Sequence, residues 1–253
     1  MLSLRFRKAA PRDARVVLPV ASGAAPPAWH AAMEAAAFRA EPGAVLDLVP
    51  GPLLVGIGTP ARALDWERAG VAAALALKGQ AEAVLDARGL AAGDTAAMAA
   101  GMALGAWRFD RYRAIPAQEA PPRALSVLVD DARAARAAWR DASAALRGCL
   151  MARDWISEPA NVLTTRDFVR RLRALSRHGI EVEVWGRKRL AREGYGALLA
   201  VGQGSASPPR LVTLRWRGTH EAPPVAFVGK GIVFDTGGIS IKGAGGMEAM
   251  RAD

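Results

Sequence analysis

In the first half of the chain, short apolar runs alternate with Ala-rich stretches whose polar residues recur at helical spacing. Residues 14–20, 44–49, 53–57, 81–87 and 124–129 are apolar, rich in Val and Leu, and predict strands. Residues 62–78, 93–106 and 131–147 have the length and spacing of helices, with Asp94 or Thr95 as a candidate cap for the second. The third is expected to extend to near 155 and lead to a second region. Pro26-Pro27, Pro50-Gly51-Pro52 and Pro121-Pro122 mark loops. Strands alternating with helices specify an α/β domain with a mainly parallel sheet.

The pattern continues after Glu158-Pro159-Ala160-Asn161, which reads as a helix-to-loop corner. Helices are expected at 165–178 and 187–193, and strands at 180–184, 211–216 and 225–228. The expected division is an N-terminal α/β domain over 1–148. It is followed over 149–253 by the first part of a doubly wound α/β domain.

Composition changes this picture little. Half the residues are hydrophobic (51%), enough for a sizeable core. Net charge is +10, from 34 basic and 24 acidic residues. The bases are mostly arginine, accompanied by abundant Ala, Gly and Pro. That mixture follows from GC-rich codons and by itself does not call for nucleic acid. The densest basic run, 166–177, interleaves with Phe168, Val169, Leu172 and Leu175, as on the wet face of an amphipathic helix. Cys149 is the only cysteine, so no disulfide or thiolate metal cluster can form within the chain. Its place between Leu146 and Leu150 predicts a buried, inert thiol. His30, His178 and His220 lack the spacing of a zinc site. The N-terminus lacks a signal-peptide core and no run is apolar enough to span a bilayer, so a cytoplasmic protein without membrane contact is expected.

The chemistry concentrates in residues 228–253. Two of the chain's five lysines, Lys230 and Lys242, stand there among glycines and close to Asp235 and Asp253. If 225–228 is a buried strand, Lys230 lies at its carboxyl end, where open α/β sheets place ligands. Lys230 and Asp235 would point to opposite faces of a regular strand, so a turn or bulge at Gly229 and Gly231 is expected to bring them together, and Gly237-Gly238 is expected to give a second sharp turn before Lys242. Met247, Met250 and Asp253 recur every three residues and would share a helical face. A carboxylate on an apolar stripe needs a partner or a metal. Spacing alone leaves two readings open: Lys–Asp ion pairs bracing glycine turns, and a phosphate cradle, although GxxxxGK[ST] is absent.

These residues are similar to the first active-site segment of the leucyl aminopeptidase family, the hexameric two-metal exopeptidases of the cytosol. Three more stretches agree in the same order. GAWRFDRY at 105–112 resembles G-x-Y/W-R-F-D-x-Y, and RDWISEPANVLT at 153–164 resembles R-D-L-x-N-E-P-x-N-x-L-T. GYGALLAVGQGS at 194–205, with PPRL at 208–211, resembles G-M-G-A-L-L-x-V-G-x-G-S…P-P-R-L. Residues 1–90 match only in general pattern.

The resemblance implies roles. Lys230 would bind one of two divalent ions through a neutral amine, Asp235 would bridge both ions, and Asp253 would join Lys230 on its metal. Lys242 would stay charged and polarise the peptide carbonyl, and Met250 would line the pocket for the first side chain of a peptide substrate. The ions would be Mn or Zn, with Mg compatible, and the assembly a homohexamer. Two departures accompany these matches. Gly243-Ala244-Gly245 follows Lys242 where the family has proline, and Ser157 replaces the usual Asn. The family's second active-site segment, N-T-D-A-E-G-R-L, does not occur in these residues. It supplies an Asp and a Glu to the metals and an Arg that holds a bicarbonate base. The chain is therefore expected to be a fragment or the product of a truncated gene. Two other expectations stand beside the peptidase: a catalytically silent binding protein, DNA-associated in one version, and an inactive fragment.

Overall fold

The computed structural model describes residues 2–11, 14–24, 26–59, 62–114, 116–218 and 223–252. It forms two compact units, Met1–Ala152 and Arg153–Asp253. The first is built on a six-stranded sheet containing β1 (Ser3–Arg7), β2 (Arg15–Ala21), β3 (Val45–Asp47), β4 (Leu53–Gly58), β5 (Glu82–Asp86) and β6 (Ala124–Leu128). Their order is β1-β6-β5-β2-β4-β3, and every pairing is parallel except β3 on β4. The central strands are buried on both faces, as parallel strands covered by helices must be. In β4 each residue of LLVGIG is buried.

Helix α1 (His30–Ala35) brings Met33 into a small cluster with Val20, Ala40 and Leu54. Helices α2 (Ala63–Ala76) and α3 (Ala92–Gly105) pack through backbone. A Cβ on Gly101 would lie 2.0 Å from the Glu67 carbonyl oxygen, and one on Gly70 would lie 2.2 Å from that of Met98. The alanine and glycine content of these segments is thus a packing requirement. It lets α3 sink into the protein with residues 95–103 all buried. Trp66, Ala69, Ala73, Met98 and Met102 close the main core against Leu53, Val55, Leu85 and Val127.

The strands at 14–20, 44–49, 53–57, 81–87 and 124–129 and the three helices all form, within a few residues of their expected limits. The third helix runs as α4 (Ala132–Ile156), the extent near 131–155 expected of a helix leading to the second region. Four details differ. Helix α3 begins after Ala91 with no side-chain cap, and Thr95 is buried rather than capping. Cys149 is exposed, because only Leu146 and Leu150 of that stretch of α4 turn inward. β1 pairs with β6 although its polar and apolar residues alternate too briefly to mark a strand. Helix α1 is too short to register as a period.

In the second unit, α5 (Thr165–Arg173) starts at Thr164, whose hydroxyl accepts from the Asp167 N–H at 3.3 Å and donates to its carboxylate at 2.7 Å. Glu158 has a fully buried side chain and accepts from Arg171 at 2.9 Å, which ties the Glu-Pro corner to α5. β7 (Glu181–Trp185) and β8 (Leu211–Arg215) pair antiparallel, with α6 (Arg187–Arg192) and α7 (Gly196–Val201) between them in sequence. The expected strand at 225–228 does not form. Phe227 and Val228 are 93% and 99% exposed, and no described strand lies beside them to supply a hydrogen-bonding ladder.

Candidate metal and substrate site

The turn at residues 235–242 is set by two glycines. Gly237 (φ +88°) and Gly238 (φ +63°) occupy the left-handed region, which residues with a Cβ enter at a cost. Space adds to this: a Cβ on Gly237 would meet the Ser240 carbonyl oxygen at 2.2 Å. The chain therefore reverses, and the Lys242 N–H donates to the Thr236 carbonyl at 2.9 Å. The sharp turn expected at Gly237-Gly238 thus forms, whereas Gly229 and Gly231, where a turn or bulge was expected to bring Lys230 to Asp235, do not have positive φ. Gly231 lies against the Phe168 ring, which itself makes an edge-on contact with Trp155.

The reversal delivers Lys242 to Asp235. Lys242 Nζ donates to Asp235 Oδ2 at 3.0 Å, while the Gly237 N–H donates to Oδ1 at 2.9 Å. Both side chains are about one-third exposed. The hydrogen bond from Lys242 is the main force holding the Asp235 carboxyl below the usual carboxylate range. The Gly237 N–H and the charges of Lys242 and Lys230 add to it against a smaller desolvation effect. Asp235 is therefore ionised, the state a metal ligand or an ion-pair partner needs.

Met250 lies in a 3₁₀ turn, Met247–Ala252, and not in the expected α-helix. Met247 and Met250 still share a face, because residues three apart eclipse one another in a 3₁₀ turn. The Met250 carbonyl accepts from the Asp235 N–H at 3.3 Å, and its sulfur accepts from Lys242 Nζ at 2.9 Å. Asp235, Lys242 and Met250 thus meet at one place, and Lys230 is near enough for its charge to act on Asp235. Asp253 lies outside the described residues. The backbone groups of Thr236 and Gly237 were not legible as site components, since no side-chain pattern announces them.

Of the three expected ligands, one carboxylate and one amine, Asp235 and Lys230, lie among the described residues. Oxygen and nitrogen suit a Zn or Mn ion, so their chemistry fits, though they form only part of a coordination shell. Among the described residues no three His, Cys, Asp or Glu side chains gather into a metal site. The geometry also shows a competitor, because Lys242 already occupies Asp235 Oδ2.

Comparisons with known proteins bear on the whole chain. Residues 14–116 match the N-terminal domain of the cytosol aminopeptidase family, and residues 150–253 match its catalytic domain. A protein of Brucella melitensis named "Probable cytosol aminopeptidase" is 44% identical over 213 residues, covering 79% of this chain and 44% of that protein. One of Rhizobium rhizogenes with the same name is 38% identical over 264 residues, covering 96% of this chain and 53% of its own length. The solved structure of the bottromycin maturation enzyme BotP in complex with Mn superposes with a TM-score of 0.73. It shares 34% identity and covers 94% of this chain and 52% of that one. The chain spans about half the length of the relatives it matches. Both domain profiles occur here in order, and the Gly237 turn falls inside the second, so the chain belongs to the cytosol aminopeptidase family.

Proposed function

We propose that this chain is the N-terminal domain and the first part of the catalytic domain of a metal-dependent aminopeptidase, which hydrolyses the N-terminal peptide bond of short peptides. The observation that carries the reading is the meeting of ionised Asp235 with Lys242 and Met250 on one glycine turn. In this reading Asp235, Lys230 and Asp253 would be this chain's contribution to holding two divalent ions. The ions are Mn or Zn, with Mg compatible, and they supply Lewis acidity and an activated water when bound. BotP, which resembles this chain, was solved with Mn.

The chain's own residues do the rest. Lys242, charged and held by Asp235, presents a cation to the oxygen of the scissile carbonyl, where negative charge develops. Met250 offers a polarisable apolar wall for the first side chain of the peptide. The turn at Gly237 fixes the spacing of Asp235 and Lys242 before substrate arrives, so little reorganisation is needed during reaction. A homohexamer and a cytoplasmic location belong to the same reading. Among the described residues, no helix is long and apolar enough to cross a membrane.

The test is hydrolysis of leucine p-nitroanilide by a polypeptide completed with the second active-site segment, beside the chain as given. The completed protein should be active, lose activity to a chelator and regain it with Mn. The chain as given should be inactive, since it holds only part of the metal shell. Chelator-resistant activity, or no activity in the folded, completed protein, would overturn the reading.

A further inference from the structure

The open edge of the six-stranded sheet is a second candidate site, in the first unit and independent of the peptidase reading. The Ser3 N–H donates to the Arg123 carbonyl, and the Arg7 carbonyl accepts from the Val129 N–H. In a parallel ladder alternate residues bond the same neighbour, so Ser3, Arg5 and Arg7 turn their backbone toward β6. The N–H and C=O groups of Leu4 and Phe6 then face outward, and β1 has no second neighbour among the described strands. Such an edge is a template for another strand.

A groove of about 570 Å³ runs beside this edge, lined by residues 4–7 of β1 and by Arg136, Trp139 and Arg140 of α4. Arg136 and Arg140 are four apart, one helical turn, and stand side by side. Arg5 and Arg7 share one face of β1. None of these four guanidinium groups makes an ion pair among the described residues, whereas Arg15, Arg88, Arg171 and Arg217 each have a carboxylate partner. Four like charges around one groove raise the local potential and favour an anionic occupant. Trp139 is partly buried against the main core and gives the groove an ordered apolar wall.

We propose that this edge receives an extended acidic segment of a partner protein, which adds a strand beside β1 and pairs its carboxylates with Arg5, Arg7, Arg136 and Arg140. Main-chain bonds to Leu4 and Phe6 supply affinity, and the arginines select acidic side chains. A polynucleotide would satisfy the arginines but would leave the outward backbone of Leu4 and Phe6 unpaired. That difference favours the peptide.

The experiment titrates the full chain with a labelled peptide of alternating Glu and Thr, a Lys/Thr peptide of equal length and a single-stranded oligonucleotide. The acidic peptide should bind and the basic one should not, with affinity falling as salt rises. Binding should weaken about tenfold or more in R136E/R140E and again in R5E/R7E, both checked for folding by circular dichroism. The Leu4 and Phe6 amides should gain protection from hydrogen exchange when the peptide is bound. Failure of the folded chain to bind the acidic peptide overturns the proposal. So does oligonucleotide binding as tight as the peptide's, or peptide binding without amide protection.

Discussion

Lys242 and Asp235, seven residues apart, meet at 3.0 Å across a turn that only glycine can make at position 237. The ion-pair brace read from spacing and the active-site segment read from resemblance are thus the same object. In the proposed mechanism the lysine that organises this carboxylate would also present its cation to a substrate carbonyl. The pair is partly open to solvent, so its electrostatic contribution to stability is small.

Replacing Lys242 with Gln separates the two roles. Asp235 Oδ2 loses its competitor, so Mn affinity of the chain should rise severalfold by calorimetry. Hydrolysis by the completed protein should fall by about 10²-fold, the usual loss of an oxyanion-stabilising group. Unchanged hydrolysis would show that Lys242 serves only as the brace.

Gly237→Ala should unlock the turn. The added Cβ meets the Ser240 carbonyl oxygen at 2.2 Å and the backbone sits at φ +88°. Local strain of about 1–3 kcal/mol is expected, and hydrogen exchange across 235–242 should quicken while the first unit is unaffected.

Gly101→Ala tests the helix contact. Its Cβ would lie 2.0 Å from the Glu67 backbone oxygen, so α2 and α3 must move apart. A loss of about 1–3 kcal/mol in denaturant unfolding is expected, as for other overpacked cores. Alanine at exposed Gly148, where a Cβ meets nothing within 4 Å, should stabilise or be neutral.

Glu158→Ala removes the buried member of a partly buried pair and leaves Arg171, which keeps some solvent access, without its carboxylate. A loss of about 1–3 kcal/mol is expected. Limited proteolysis should show the second unit becoming sensitive before the first. A proteolytic pattern like that of the parent chain would mean the Glu-Pro corner is held by other contacts.

Asp86 links stability to pH. The Arg88 hydrogen bond is the largest influence on its carboxyl and holds it below the usual range, against desolvation. A depressed folded value stabilises the protein above the unfolded value, and this contribution is lost as pH falls through the folded one. R88M should therefore lose a little stability at neutral pH, the loss being kept small by solvent screening because Arg88 is exposed. The difference from the parent should vanish in strong acid. A difference that persists there would point to packing and away from charge.

The alternation of strands and helices in the first unit was legible because burial on both faces forces near-continuous apolar runs in β4, β5 and β6. The concentration of Lys230, Asp235, Lys242 and Met250 among glycines was legible too, although spacing left its chemistry open and the peptidase reading of the segment came from resemblance. Period and residue type are local properties, and the chain displays them without folding.

What only the tertiary structure decided depends on neighbours far away in sequence. The apolar run at 225–228 resembles a buried strand, yet a strand exists only where another supplies its hydrogen bonds, and none of the described strands does. β1 has the weaker pattern, yet it forms because β6, more than a hundred residues on, offers a matching edge. Gly237-Gly238 was legible as a turn before Lys242, but that this turn closes an ion pair between Lys242 and Asp235 was decided by space and φ, and the turn or bulge expected at Gly229 and Gly231 has no positive φ. Sequence fixes which residues can turn, pair or bind; the sum of non-local contacts determines which of them do.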